Sequence, residues 1–254
     1  MAVAEPVKVA AAGSLKAALT QAGAAFTADQ PGRPIVQFEF GASGLLRERI
    51  EAGLGVEVFA SADIGHPKAL AAQGKVESDV QIFTRNAMCA LTRRGLTATP
   101  TTILSLMLEQ STRLGISTPK ADPSGDYALA VFARADAVQP GAGAVLTAKA
   151  LQLTGGKASP KAPDGRNQYA WVLDDGQGNG QADVFLTYCT NGLLAQRENP
   201  QIGSIALPPS MAVAAEYGLV ELKGASPEAS AFADFLRGPK GQAILASHAF
   251  ASLN

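Results

Sequence analysis

The sequence predicts an α/β fold in which helices cover a sheet of parallel strands. Three observations predict it. Short apolar strands at Val7–Ala11, Ile35–Phe40 and Val56–Ala60 each run into a turn of small residues. The first two turns open stretches with helical spacing: Leu15, Leu19, Ala22 and Phe26 after one, Leu46 and Ile50 after the other. Strand, turn and helix in repetition is the pattern of a parallel sheet packed by helices. The 254 residues, 47% of them apolar, suffice for one large α/β domain or two small ones.

The elements follow in order. Asp29-Gln-Pro-Gly-Arg-Pro is a loop before the second strand. Ser43 stands where an N-cap belongs, and the helix over 44–52 stops at Gly53. Pro67–Gln73 reads as a helix, Phe83–Thr92 as an apolar strand carrying Asn86, Ile103–Leu108 as a helix and Leu114–Ser117 as a strand. Thr118 to Asp126 is a Pro/Gly turn, with Ser124 just before a helix over Tyr127–Ala137. Residues 143–153 read as a further helix. After a loop rich in Gly, Pro and Lys come a short helix at Gln168–Asp174, a surface turn at Gly176–Gly180 and a strong strand at Asp183–Tyr188. Asn191–Gln196 reads as a polar loop. Ser226-Pro227-Glu228 is an N-cap with Pro at the first helical position, Gly238-Pro239 interrupts that helix, and Gln242–Ser247 resumes it. Trp171 and Phe132 read as core.

Composition narrows the function classes. A net charge of −1 gives no basic surface for nucleic acid or an anionic membrane. No apolar run approaches the roughly 20 residues of a membrane span. Two cysteines and two histidines, His66 and His248, do not have zinc-site spacing, and no direct metal site is expected. The chain enters its first strand at Val7 with no leader pattern. Either the protein is cytosolic, or a leader has been removed and Met1 stands in its place.

In a parallel sheet the ligand crevice lies beyond the carboxyl ends of the strands. Ser14, Ser43 and Ser61 each follow a strand, so all three are expected to face one crevice. A helix start carries unpaired N–H groups and partial positive charge, and small residues let an anion approach it. The plainer alternative is that Ser43 only caps its helix.

At this point the chain resembles the molybdate-binding proteins, the substrate-binding components of ATP-driven oxyanion importers. The residues that carry the resemblance are Ala11-Ala-Gly-Ser14-Leu, Gly41-Ala-Ser43-Gly, Val58-Phe-Ala-Ser61-Ala-Asp63 and Asp183-Val-Phe-Leu-Thr-Tyr188. The ending Phe232-Ala-Asp-Phe-Leu, Gly241-Gln-Ala-Ile-Leu and Ala249-Phe250 is similar to periplasmic solute-binding proteins generally. The resemblance implies a two-lobed periplasmic-binding-protein fold, each lobe a mostly parallel sheet flanked by helices, with a ligand cleft between lobes. Residues 1–84 plus 208–254 would form one lobe and 85–207 the other. It also implies a periplasmic monomer that takes molybdate or tungstate, needs no cofactor, performs no reaction and delivers its cargo to the membrane permease of an ABC transporter.

By the same resemblance, Ser14 and Ser43 match the two serines of the first lobe, and Tyr188 matches the tyrosine at the end of a later strand. Ser124 falls where the family offers an alanine N–H, and Gln168 where a valine donates its N–H. The first turn departs from the commoner Ala-Ala-Ser-Leu, the loop before Ser124 is shorter, and Gly176–Gly180 looks inserted. The chemistry agrees without the family. A fully deprotonated oxyanion offers only acceptors, so its partners must donate, as Ser and Tyr hydroxyls and backbone N–H groups do. No Lys or Arg that would aid a buried, very tight hold is expected at the site; Arg47, one turn beyond Ser43, reads as a solvated helix charge. Cys89 and Cys189 either pair, if the protein is exported, or remain buried thiols.

Rival readings remain. Gly41-Ala-Ser43-Gly-Leu breaks the Gly-x-Ser-x-Gly hydrolase elbow at its last position, and only His66 lies near the expected crevice as a base. Gly176-x-Gly-x-Gly180 follows no strand and is no nucleotide fingerprint. Another anion is the closer rival: sulfate, phosphate or a small organic acid. Phosphate keeps a proton and wants a carboxylate acceptor, which Asp63 or Asp126 could supply. A third rival is the cytosolic ligand-sensing domain of a regulator; the lack of a helix-turn-helix segment in this sequence argues against it, unless that segment has been removed.

Overall fold

The computed structural model describes residues 5–251; the opening residues read above for a leader, and the last three, lie outside the described residues. The chain runs β1 (Val7–Ala12), a single 3-10 turn at Gly13–Leu15, α1 (Lys16–Asp29), β2 (Val36–Gly41), α2 (Ser43–Glu51), β3 (Val58–Ser61), α3 (Gly65–Ala72) and β4 (Gln81–Thr92). It continues through α4 (Ile103–Leu108), β5 (Leu114–Ser117), α5 (Pro123–Val138), α6 (Ala142–Lys149), β6 (Leu151–Thr154), α7 (Gln168–Leu173), β7 (Val184–Tyr188), α8 (Cys189–Glu198) and β8 (Gly203–Ala206). It ends with β9 (Ala214–Glu221), α9 (Pro227–Arg237) and α10 (Pro239–Ser247). No described helix is long and apolar enough to cross a membrane.

The chain divides into two compact units. The first comprises the residues up to Asn86 and those from Glu216 onward; the second comprises Ala87–Ala215.

In the first unit β1 lies between β2 and β3 and is parallel to both. Val9, Ala10 and Ala11 are fully buried, as a strand covered on both faces requires. β9 returns antiparallel to β3 and pairs Ser61 with Gly218. Helix α1 buries Leu19, Ala22 and Phe26, the face read from the sequence. Gly23 lets that helix lie close to β2: a Cβ there would stand 2.8 Å from the Phe38 ring. Phe26 meets Phe232 and Phe235 of α9 edge to face, with centroids 5.3 and 5.6 Å apart, and tethers the C-terminal helices to the sheet. The Ser226 hydroxyl accepts the Ala229 N–H at 3.2 Å and Pro227 begins α9, as expected, whereas α10 begins at Pro239, ahead of the Gln242 start read from the sequence.

In the second unit β7 lies parallel to β5, and β5 parallel to β6. The Ala87–Thr92 part of β4 runs antiparallel to β7 on one edge and to β8 on the other. Both units are thus mixed α/β layers in which parallel strands carry the turns of interest. A disulfide joins Cys89 of β4 to Cys189 at the start of α8, with a Cα–Cα distance of 4.9 Å.

Two expectations are corrected here. Residues 143–153 are not one helix: α6 ends at Lys149, and Leu151–Thr154 is strand β6, whose Gln152 pairs with Ile116 of β5. Four residues are too few for helical and strand periodicity to be told apart, and the open hydrogen-bonding edge of β5 decides between them. Asn191–Gln196 is not a loop but the body of α8. Its inner face is polar or small (Thr190, Asn191, Gly192, Ala195), so no apolar repeat announces it. Asn191 is buried there because its Nδ2 donates to Thr187 Oγ1 at 2.9 Å. Cys189 accordingly begins a helix.

Candidate functional site

Parallel register places the first-unit serines. Ala12 of β1 stands beside Gly41 of β2, and Ala11 beside Ala60 of β3, so the turns holding Ser14, Ser43 and Ser61 leave one edge of the sheet together. Small residues keep them close: a Cβ on Gly13 would be 3.9 Å from the Gly41 carbonyl oxygen.

Ser43 is not the N-cap expected from sequence. Ala42 holds that position with φ −67° and ψ 132°, and its carbonyl accepts the Leu46 N–H at 3.0 Å. Ser43 is the first helical residue, fully buried, and its Oγ accepts the Ala62 N–H at 3.0 Å rather than an N–H of its own helix. That bond uses one of the two lone pairs of the Ser43 oxygen and does not use its hydroxyl proton. Ser61 is spent differently. Its hydroxyl donates to Asp63 Oδ1 at 2.9 Å and accepts the Asp63 N–H at 3.3 Å. The Asp63 carboxylate also takes the His66 N–H at 3.1 Å. Ser61 and Asp63 therefore build the turn into α3. Arg47 faces Glu51 one turn along α2 at 3.6 Å, the ion pair of a helix surface.

Ser14 sits half-buried in the 3-10 turn, 2.9 Å from the Tyr217 hydroxyl of β9. Asn86 Nδ2 donates to the same hydroxyl at 3.3 Å. Both partners are buried, Tyr217 completely, with its ring edge to face against Phe83 and Phe250. The sequence reading missed Tyr217: one aromatic in an apolar strand carries no signal of a polar role.

The second unit gathers another set of donors. Asp122, not Ser124, caps α5, its Oδ1 accepting the Ser124 N–H at 3.1 Å. Ser124 lies inside the first turn of that helix, behind Pro123, and its hydroxyl donates to Thr187 Oγ1 at 3.4 Å. Gly125 permits this seating, because a Cβ there would meet the Ser117 carbonyl oxygen at 2.4 Å. Tyr188, next to Thr187, is the N-cap residue of α8, is buried, and packs edge to face on Tyr127 with centroids 6.2 Å apart. Ser124 and Tyr188 are thus brought to adjoining helix starts.

Gln168 opens α7. Its side chain accepts the Ala162 N–H at 2.9 Å and donates to the Pro160 carbonyl at 3.1 Å, so it holds the preceding loop. Only its backbone N–H retains the role that the resemblance implies for it. The Asn167 side chain takes the next two N–H groups, those of Tyr169 and Ala170, at 3.0 Å each.

Behind these residues lies a polar cluster. Ser117 and Thr154 hydroxyls, both buried, are 2.8 Å apart. Burial pushes the Asp122 carboxyl up to about 6, against hydrogen bonds from the Ser124 N–H and the Ser117 hydroxyl, with the Asp126 charge adding to the rise. Burial, and then the Asp122 charge, raises the Tyr169 phenol above its ordinary range. Asp126, one of two acceptors considered for a protonated ligand, is occupied by the Lys120 N–H at 2.9 and 3.1 Å. Nothing in the sequence marks Asp122 as a perturbed group, since Asp-Pro before a helix reads as an ordinary cap.

Residues 7–251 match the family model described as bacterial extracellular solute-binding protein. The chain belongs to that family. An uncharacterized protein of Pasteurella multocida (strain Pm70) is 37% identical to this solute-binding protein over 187 residues, which are 72% of this chain and 74% of that one. Among solved structures, the fold is similar to the periplasmic molybdate-binding protein of Azotobacter vinelandii, with a TM-score of 0.72, 20% identity, and coverage of 98% of this chain and all of that one. It is also similar to the sulfate-binding protein SubI from Mycobacterium tuberculosis H37Rv, with a TM-score of 0.80, 18% identity, and coverage of 99% and 88%. At such identities these two likenesses show the periplasmic-binding-protein fold, not the ligand.

Proposed function

We propose that this solute-binding protein captures a tetrahedral oxyanion, molybdate or tungstate, in the periplasm and delivers it as a monomer to the permease of an ABC importer. Ser14 and Ser43 of the first unit and Tyr188, the Gln168 N–H and Ser124 of the second are the proposed donors; the Ser124 hydroxyl, which donates to Thr187 Oγ1 at 3.4 Å, would turn its proton to the ligand. The observation that carries this reading is the state of Ser43. It is fully buried, it accepts the Ala62 N–H, and its hydroxyl proton is there to be offered to an acceptor-only ligand. Neutral donors at helix starts suit an anion that must later be released, because several buried cations would hold it too tightly.

Two further observations favour an anion without a proton, held outside the cytoplasm. Asp63 and Asp126, the carboxylates that could accept from a monoprotonated phosphate, are each engaged by their own turns. The disulfide fits an oxidising compartment. Isothermal calorimetry of the purified protein against molybdate, tungstate, sulfate and phosphate tests the reading. Heat of binding is expected with molybdate and tungstate. No heat and no thermal shift with either ion would overturn it.

A further inference from the structure

The first turn of α5 holds a carboxyl as well as a proposed donor. Asp122 is the N-cap residue, and Ser124 follows two positions later. Asp122 is half-buried as a residue, but its carboxyl is turned inward. One oxygen, Oδ1, accepts the Ser124 N–H at 3.1 Å. The other lies against Gly155, where a Cβ would come within 2.5 Å of Oδ2, and the φ of +76° at that glycine brings the backbone so near. Around the carboxyl stand the Ser117 hydroxyl of β5, the Thr154 hydroxyl of β6 at 2.8 Å from it, the Tyr169 phenol of α7 and the Asp126 carboxylate of α5 itself. Hydrogen bonds from Ser124 and Ser117 favour a charge on Asp122, whereas burial and the Asp126 charge oppose it. Burial is the largest of these effects, so the carboxyl changes charge at about 6.

A doubly charged anion held by Ser124 would share this helix start with Asp122. An ionised Asp122 competes with that anion for the positive end of α5 and repels it. A protonated Asp122 does not. We propose that Asp122 takes up one proton from solvent as the oxyanion is captured, and so ties affinity to pH. The proton passes from water or buffer to the Asp122 carboxyl, and the anion itself stays fully deprotonated. The complex holds this proton more tightly than the free protein does. Affinity is therefore complete below about pH 6 and falls as the pH rises beyond it. Asp122 acts through its charge and need not touch the ligand. This inference rests on the oxyanion reading above.

The test is calorimetry with molybdate, using the whole chain, from about pH 5.5 to about pH 8. If binding raises the Asp122 value by about one unit, parent affinity should fall about seven-fold over that range. Repeating the titration at pH 7 in buffers of different ionisation enthalpy should show uptake of about 0.4 proton per anion. Asp122→Asn keeps the cap and cannot ionise, so its affinity should not follow pH in this way. At pH 8 it should bind several-fold more tightly than the parent, a gain that a merely structural lesion does not produce. A flat parent profile, no proton uptake by the parent, or the same pH dependence in Asp122→Asn would overturn the coupling while leaving the oxyanion reading intact. Absence of molybdate and tungstate binding by the parent at every pH would instead remove the reading on which the coupling rests.

Discussion

Ser43 accepts the backbone N–H of Ala62 through its hydroxyl at 3.0 Å, so the turn after β2 is tied to the turn after β3. One atom thereby joins a structural role to a proposed binding role. Ser43→Ala should weaken oxyanion binding at least several-fold by calorimetry, because a hydrogen bond to a charged group contributes ~1.5–3 kcal/mol. It should also lower stability by about 1–3 kcal/mol in urea unfolding, since the buried Ala62 N–H loses a partner. Unchanged affinity would identify the wrong serine; unchanged stability would mean that the Ala62 contact carries nothing.

The Cys89–Cys189 disulfide spans a sequence separation of 100 residues and secures the start of α8 beside Tyr188. Constraining so long a loop in the unfolded chain is worth up to roughly 4.7 kcal/mol in the entropy model, and about 2–4 kcal/mol in practice. The Cys89→Ala/Cys189→Ala variant, or the parent under reductant, should therefore unfold at clearly lower temperature. Coincident melts with and without reductant would refute this.

Asp122 makes a pH-dependent contribution whose sign follows from its environment. Its folded-state value lies at about 6, above the ordinary 3.8. Between those two values the folded protein holds a proton there that the unfolded chain has released. The benefit is complete below about pH 4 and is lost as pH rises through about 6. A difference of that size corresponds to roughly 3 kcal/mol. Asp122→Asn keeps an N-cap acceptor for the Ser124 N–H, because Asn and Asp cap equally well. Relative to the variant, the parent should lose stability between about pH 4 and pH 6.5 in denaturant titrations. Parallel stability profiles for the two proteins would show that the carboxyl is not held as described.

Legibility in the sequence followed the strength of local pattern. Strand β5 and helix α4 are legible to the residue, because Leu114–Ser117 and Ile103–Leu108 are apolar runs bounded by polar turns. The Ser226-Pro227 start of α9 is legible from its cap chemistry. Helix α8 is hidden because it buries Asn191 and Thr190 instead of leucines, and β6 because it is too short to show a period. At the candidate site, Ser14 and Ser43 are visible as small polar residues after buried strands. Tyr217 is not, because a tyrosine in an apolar strand declares its ring and conceals the partner of its hydroxyl.

The sequence by itself determined the α/β class, the placement of serines at strand-to-helix turns, the net charge of −1 and the lack of an apolar run long enough for a membrane-spanning helix. Each follows from periodicity, turn residues or net charge, which are properties of composition and of neighbours along the chain. Only the tertiary structure decided that Cys89 pairs with Cys189, that Ser61 serves Asp63 while Ser43 serves Ala62, and that Asn86 and Tyr217 converge on Ser14. Partners separated by 100 or 203 residues are set by strand register and by packing, which no local pattern encodes.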